Sequence, residues 1–172
     1  MTAIELARPD DAEAIAMFAN GSFTHTFGHI YDPADLAAFL AGWNPPGRVR
    51  AQIEDSEHDI ALVRDEAGAI LGYIKMGPVE FDLPPEQPTD HAVELHQLYV
   101  AEAAKGTGVA AALMDWGIAW ARERASILYL TVFTENDRAQ AFYRRYGFYD
   151  VGRNEFRVGN HVDEDRFFRL DL

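Results

Sequence analysis

The run Val93-Glu-Leu-His-Gln-Leu-Tyr-Val-Ala-Glu-Ala-Ala-Lys-Gly-Thr-Gly-Val-Ala-Ala-Ala-Leu-Met114 joins a strand, a glycine loop and a helix without a break. Val93 to Val100 has strand character, Gly106 and Gly108 punctuate a short loop, and a broadly apolar helix follows at once. Glycine lets backbone approach something bulky. A helix start presents unpaired N–H groups and the positive end of a dipole. A junction of this kind is an anion site, and phosphate is its expected guest.

The glycine spacing narrows the kind of phosphate. A dinucleotide fingerprint needs a third glycine at 111, where the chain has Ala111, and an acidic residue on a later strand. A Walker loop needs Lys-Ser or Lys-Thr after its second glycine, and neither glycine here is followed by one. What remains, Lys105-Gly106-Thr107-Gly108-Val109-Ala110, resembles the pyrophosphate loop [Q/R]-x-x-G-x-[G/A] of the GNAT N-acetyltransferases, with lysine in place of Gln or Arg. Downstream, Asn136-Asp-Arg-Ala139-Gln-Ala-Phe142-Tyr143-Arg-Arg-Tyr-Gly147-Phe148 is similar to the same family's N-x-x-A-x-x-F-Y-x-x-x-G-F motif.

That resemblance implies an α/β fold, a mixed central sheet of about seven strands with four helices on both faces. The strand at Val93 to Val100 would splay from the one at Ile127 to Phe133 to open a cofactor cleft. Acetyl-CoA is the implied co-substrate. Backbone of Lys105, Gly106, Thr107, Gly108, Val109 and Ala110 would hold its pyrophosphate. Leu98, Tyr99 and Val100 would pair with the pantetheine arm, and Asn136 would bond to it while also suiting an ordinary helix cap. Tyr143 matches the family's general acid, and Glu94 the glutamate that takes the amine proton. The wording Phe23-x-x-Thr-Phe27-Gly-x-x-Tyr31-x-Pro-x-Asp-Leu-x-Ala-Phe-Leu is similar to polyamine acetyltransferases of the PaiA type.

Composition bounds the rest. A chain of 172 residues, 48% hydrophobic, suits one domain spanning 1–172. No apolar run reaches the ~20 residues of a membrane helix, and the N-terminus lacks signal-peptide character, so a cytoplasmic location is expected. Cysteine is absent, which excludes disulfides, zinc-thiolate sites and a cysteine nucleophile, and no metal is implied. A net charge of −13 argues against nucleic acid and fits a cationic small molecule, though acidic surfaces also serve solubility. A homodimer agrees with the habits of the family.

In chain order, Ile4 and Leu6 read as a strand, Asp10 to Asn20 as a helix closed by Gly21, and Asp32-Pro33 as the start of another, ended by Asn44-Pro-Pro-Gly47. Ile60 to Arg64 and Ala69 to Met76 form a hairpin, and Gly77 to His91 is a long loop. A helix from Val109, a buried strand at Ile127 to Phe133 and a helix capped by Asn136 follow. Three strand pieces, Phe148 to Arg153, Glu155 to Val158 and Arg166 to Leu172, finish the chain. Strand alternation puts Glu94 and His96 on one face and Leu95 and Gln97 on the other. Glu94 and His96, whose ordinary pKa lies near neutrality, are alternative bases. Phe23, Phe27 and Tyr31 recur at helical spacing, as a buried stripe or an aromatic wall for an alkyl ammonium. With the Pro78 to His91 loop they would enclose the acceptor. The expected activity is direct acetyl transfer to a primary amine of a small molecule, a polyamine among the candidates. Two alternatives stand beside it, a protein or peptide acceptor and a non-catalytic acyl-CoA-binding regulator.

Overall fold

The computed structural model describes residues 3–172, which form seven strands and five α-helices. Residues 1 and 2 of the expected domain lie outside the described residues. The order is β1 (Glu5–Leu6), α1 (Ala12–Phe27), α2 (Pro33–Trp43), α3 (Pro46–Glu54), β2 (Asp59–Arg64), β3 (Ile70–Gly77), β4 (Ala92–Val100), α4 (Val109–Arg122), β5 (Ile127–Phe133), α5 (Asp137–Arg145), β6 (Tyr149–Val158) and β7 (His161–Asp171). All seven strands join one sheet in the order β1-β2-β3-β4-β5-β7-β6. The β4–β5 pair is parallel and every other pair antiparallel. No helix among the described residues is long and apolar enough to cross a membrane.

Each face of the sheet is covered because its helices carry apolar stripes. Val109, Leu113, Met114 and Ile118 of α4 pack on Ile74, Met76, Leu95 and Leu128 of the sheet, and Tyr143 of α5 joins the same cluster. The helix comes close at Gly117, where a Cβ would stand 2.6 Å from Ile74 Cδ1. On the opposite face Ala12, Ile15, Ala16 and Ala19 of α1 meet Leu62 and Tyr73, with Val49 of α3 beside them. A third cluster of Phe23, Tyr31, Leu36 and Val158 ties α1 and α2 to β6.

The expected elements are all present, with four differences. First, α1 continues through Gly21 to Phe27. The cost of an exposed mid-helix glycine, about 1 kcal/mol, is outweighed by Phe23 burying against its neighbours. Second, Pro45-Pro46 ends α2 and also starts α3, since Pro46 takes a first-turn position where a missing N–H costs nothing. Third, β6 is one strand, with an irregularity between Asp150 and Gly152 rather than a break. Fourth, β7 begins at His161, so that Asp163 and Asp165 belong to it. Polar residues hid that start because they face a cleft rather than the core.

Candidate active site

The parallel β4–β5 pair is short. Register runs Ala92↔Ile127, Val93↔Leu128 and Glu94↔Tyr129 and then ends, although β4 continues to Val100 and β5 to Phe133. On this side the β4 backbone from Leu95 onward has no ladder partner, Leu98, Tyr99 and Val100 included. The strands thus open into a cleft of about 320 Å³ lined by Leu95 to Tyr99 on one side and Thr131 to Phe133 on the other. That volume is within the ordinary range of small-molecule sites, about 300–1,000 Å³.

At the end of β4 a turn over Glu102 to Ala104 leads into the glycine loop. Gly106 (φ +80°) and Gly108 (φ +93°) occupy the left-handed region, which a side chain would strain. Gly108 is the residue that caps α4 and offers no side chain to do so, so the first N–H groups of the helix, from Val109 and Ala110 onward, remain available to an anion. A Cβ at either glycine would meet nothing within 4 Å, so the space over the loop is open. Thr107 Oγ1 donates to the Ala104 carbonyl at 2.6 Å, and Lys105 pairs with Glu102. Loop and unpaired strand edge together would suit acetyl-CoA, the first as a pyrophosphate cradle and the second as an edge for a pantetheine amide.

Simple alternation along β4 fails at His96. Met76 pairs with Leu95 and Lys75 with Gln97, which leaves His96 as the extra residue of a bulge. Leu95 and Leu98 accordingly face the α4 side. Gln97 instead joins the opposite side, where its Oε1 accepts from Tyr73 Oη at 2.7 Å and its Nε2 donates to Asn44 Oδ1 at 3.2 Å. Glu94 and Gln97 therefore share a side, which corrects the expectation that Gln97 would point with Leu95.

Glu94 and His96 are neighbours, with Nδ1 3.3 Å from Oε1. Glu94 Oε2 also accepts the Glu80 backbone N–H at 2.8 Å. Burial pushes the Glu94 carboxyl up to about 8, with that N–H opposing the shift. Burial, followed by the nearby Lys75 ammonium, pushes His96 down to about 4. Its Nε2 lies 3.0 Å from the Pro78 carbonyl, which can only accept, so Nε2 carries the hydrogen. Lys75 itself is lowered to about 8, chiefly by burial, and donates to Gln52 Oε1 at 3.1 Å.

Two residues of α5 reach the cleft from the β5 side. Asn136 caps the helix, its Oδ1 accepting the Ala139 N–H at 3.1 Å, and it lines the cleft. Tyr143 sits two helical turns further on the same face, 9% exposed, its ring against Phe142 and Phe148. The helix closes immediately behind it: Gly147 (φ +94°) donates to the Arg144 carbonyl and Phe148 to that of Tyr143, a Schellman arrangement. Burial raises the phenol above its usual range.

Phe23, Phe27 and Tyr31 line the same cleft with Trp43 and Phe156. Phe23 and Tyr31, 3% and 7% exposed, are a buried stripe that also lines the cleft. Sequence reasoning missed Asp163 and Asp165. Both are buried on β7 and line the cleft. Asp163 accepts from the Tyr31 hydroxyl and lies 2.8 Å from His161 Nε2. Burial, then the charge of Asp163, pushes Asp165 up to about 7. Their alternation with Phe167 was the available signal. Glu80, delivered by the loop after β3, is a further lining carboxylate.

A cleft between diverging parallel strands, with a glycine-started helix at its mouth, is the architecture of an acyl-CoA-dependent acyltransferase. The chain belongs to the acetyltransferase (GNAT) family, whose model matches residues 23–148. It is an acetyltransferase, and acetyl-CoA is its co-substrate. An uncharacterized N-acetyltransferase of Mycobacterium tuberculosis is 31% identical over 156 residues, covering 90% of this chain and 94% of the relative. Another from Lactobacillus delbrueckii subsp. lactis is 24% identical, covering 98% of this chain and 96% of the relative. In fold, the chain is similar to the crystal structure of PaiA N-acetyltransferase from Thermoplasma acidophilum in complex with coenzyme A. The TM-score is 0.78 at 15% identity, over 99% of each chain.

Proposed function

We propose that this protein, acting as one domain, transfers acetyl directly from acetyl-CoA to a primary amine of a small molecule bearing a second cationic group, an alkyl diamine or polyamine. The observation that carries this reading is the placement of carboxylates along an aromatic-walled cleft. Glu80 and Glu94 stand at one place, and Asp163 and Asp165 at another, between the walls of Phe23, Phe27, Trp43 and Phe156. Glu94 pairs with Tyr129 and Asp165 with Phe133, so the two groups are offset by roughly 13 Å along β5. One site then faces the reacting nitrogen and the other a distal ammonium, while the rings cover the alkyl chain.

In this reading Glu94 takes the proton of the incoming ammonium, directly or through water. A base near pH 8 is matched to an amine, whereas His96, held neutral, is too weak a base; its Nδ1 lone pair faces Glu94 and can accept from that carboxyl once it carries the proton. N–H groups on the unpaired β4 edge are the donors for charge developing on the thioester oxygen. Tyr143 gives its proton to the departing thiolate and is reprotonated as the acetylated nitrogen sheds its second proton; its raised pKa keeps the phenol protonated until then. No cysteine is available to carry an acyl group, which agrees with direct transfer.

The test is coenzyme A release with diamines and polyamines, monoamines of equal chain length, and short peptides. Diamines or polyamines should give the highest kcat/KM, and Tyr143→Phe should lower kcat by roughly 10- to 1000-fold with little change in acetyl-CoA affinity. Equal use of monoamines would remove the distal cation, and activity on peptides alone would overturn the small-molecule reading.

A further inference from the structure

Beside the acceptor end of the cleft, His58, Glu80 and His96 each offer one ligand atom, and these atoms all lie within 4.8 Å of one another. The three residues come from separate places: just before β2, the loop after β3, and the β4 bulge. Gly77 lets them converge. A Cβ there would stand 2.4 Å from His58 Cδ2 and 2.9 Å from His96 Nε2.

Both imidazoles are held from behind. His58 Nδ1 is 2.8 Å from Asp55 Oδ2, which places its hydrogen on Nδ1 and the lone pair on Nε2. That Nε2 is buried without a hydrogen-bond partner, on a residue 8% exposed. It faces Glu80 Oε1 at 3.4 Å. His96 commits Nε2 to the Pro78 carbonyl, so its Nδ1 lone pair faces Glu80 Oε2 at 3.9 Å and Glu94 Oε1 at 3.3 Å. Arg48, half-exposed, lies 3.5 Å from the same Glu80 Oε2. Two lone pairs and a carboxylate thus converge on one point, where a positive centre would relieve their repulsion.

We infer that this cluster binds a divalent transition-metal ion of the zinc type through His58 Nε2, His96 Nδ1 and Glu80, with Glu94 beside it. Zinc bonds of about 2.0–2.2 Å in a tetrahedral site put ligand atoms roughly 3.3 Å apart, close to the 3.4 Å between His58 Nε2 and Glu80 Oε1. Asp55 and the Pro78 carbonyl supply the outer shell that orients metal-bound histidines. The ion is an inhibitor rather than a cofactor of transfer, because Glu80, Glu94 and His96 are acceptor-end residues of the cleft. Inhibition rests on the proposed function; binding does not.

The experiment titrates the full chain, free of any polyhistidine tag, with Zn²⁺ by calorimetry and with Co²⁺ by visible absorption. One ion per chain is expected, with the intense visible bands of tetrahedral Co²⁺. His58→Gln should abolish both signals while acetyl-CoA binding and melting temperature hold. Asp55→Asn, on the surface, should weaken binding by roughly 10- to 100-fold and keeps the test decisive if His58→Gln does not fold. No binding, or full affinity in a folded variant, overturns the site. With Zn²⁺ bound, KM for the amine should rise while KM for acetyl-CoA is unchanged. Binding without that rise leaves the ion site standing and overturns the placement of the amine at this end of the cleft.

Discussion

Glu94 and His96 are separated by one residue and shifted in opposite directions by the same burial. Desolvation disfavours whichever form is charged, so it raises the carboxyl to about 8 and lowers the imidazole to about 4. The two candidate bases therefore leave different signatures. If Glu94 takes the proton, kcat/KM climbs with pH through a midpoint near 8 and levels about one unit higher, since the active form is the carboxylate. If His96 did so, its active neutral form would already be complete above about pH 5 and that limb would be absent. Glu94→Gln should lower kcat by roughly 100-fold or more and remove the enzyme's limb, leaving the amine's own titration. A pH profile of the wild type and variant, read on one substrate, separates them. Tyr143 shows the other use of burial: its environment keeps a phenol neutral and in place rather than tuning it toward pH 7.

At the scale of elements, what makes the site is the place where regular structure stops. Pairing of β4 with β5 ends at Glu94↔Tyr129, and α5 closes the far side of the opening. Under the proposed function Asn136 would work twice there: its carbonyl oxygen is consumed by the helix cap, and its amide nitrogen would be left for the pantetheine arm. The roles come apart by substitution. Asn136→Asp retains the capping oxygen and loses the donor, so the melting temperature should hold while KM for acetyl-CoA rises. Asn136→Ala should lose both, with about 1 kcal/mol of stability and roughly 2–4 °C in melting temperature. Equal KM in the Asp variant and wild type would leave Asn136 as a cap alone. The bulge at His96 belongs to this scale as well. It redirects Gln97 toward Asn44 and Tyr73 and frees His96 to face Glu94 and Glu80.

Over the whole molecule, the net charge of −13 is partly concentrated where water is scarce. Asp165 and Glu94 are both raised, each by burial first, so the folded state holds their protons more tightly than the unfolded chain. Unfolded carboxyls ionise near pH 4, and the folded ones near 7 and 8. Stability is therefore greatest below about pH 4 as far as these groups go, and falls as pH rises through about 7 to 8. Asp165→Asn should raise the melting temperature at pH 8, by at least roughly 2–4 °C, with the gain vanishing at pH 4. Thermal melts at the two pH values read it directly. A gain of equal size at both would place the effect in packing. If the proposed function holds, the same variant sacrifices the distal ammonium, which explains why a destabilising acid is retained there.

The glycine loop, the strand before it, the later Asn136 to Phe148 motif and the apolar stripe of α4 were legible along the chain. Each is a local device: positive-φ glycines, a β-forming run, a cap, a 3.6-residue period. The family and the acetyl-CoA cleft rest on those. Helix α3 and the start of β7 were not legible, since Pro45-Pro46 reads equally as a stop or a start, and Asp163 and Asp165 look like solvated surface until the sheet turns them inward. The meeting of His58, Glu80 and His96, the bulge that moves Gln97, and the carboxylates facing each other through aromatic rings join residues far apart in sequence. Local propensity carries no record of such meetings. The pairing of β2, β3 and β4 brings the first two together, and the packing of α1 and α2 beside β7 the last, with burial setting the protonation of Glu94, His96 and Asp165.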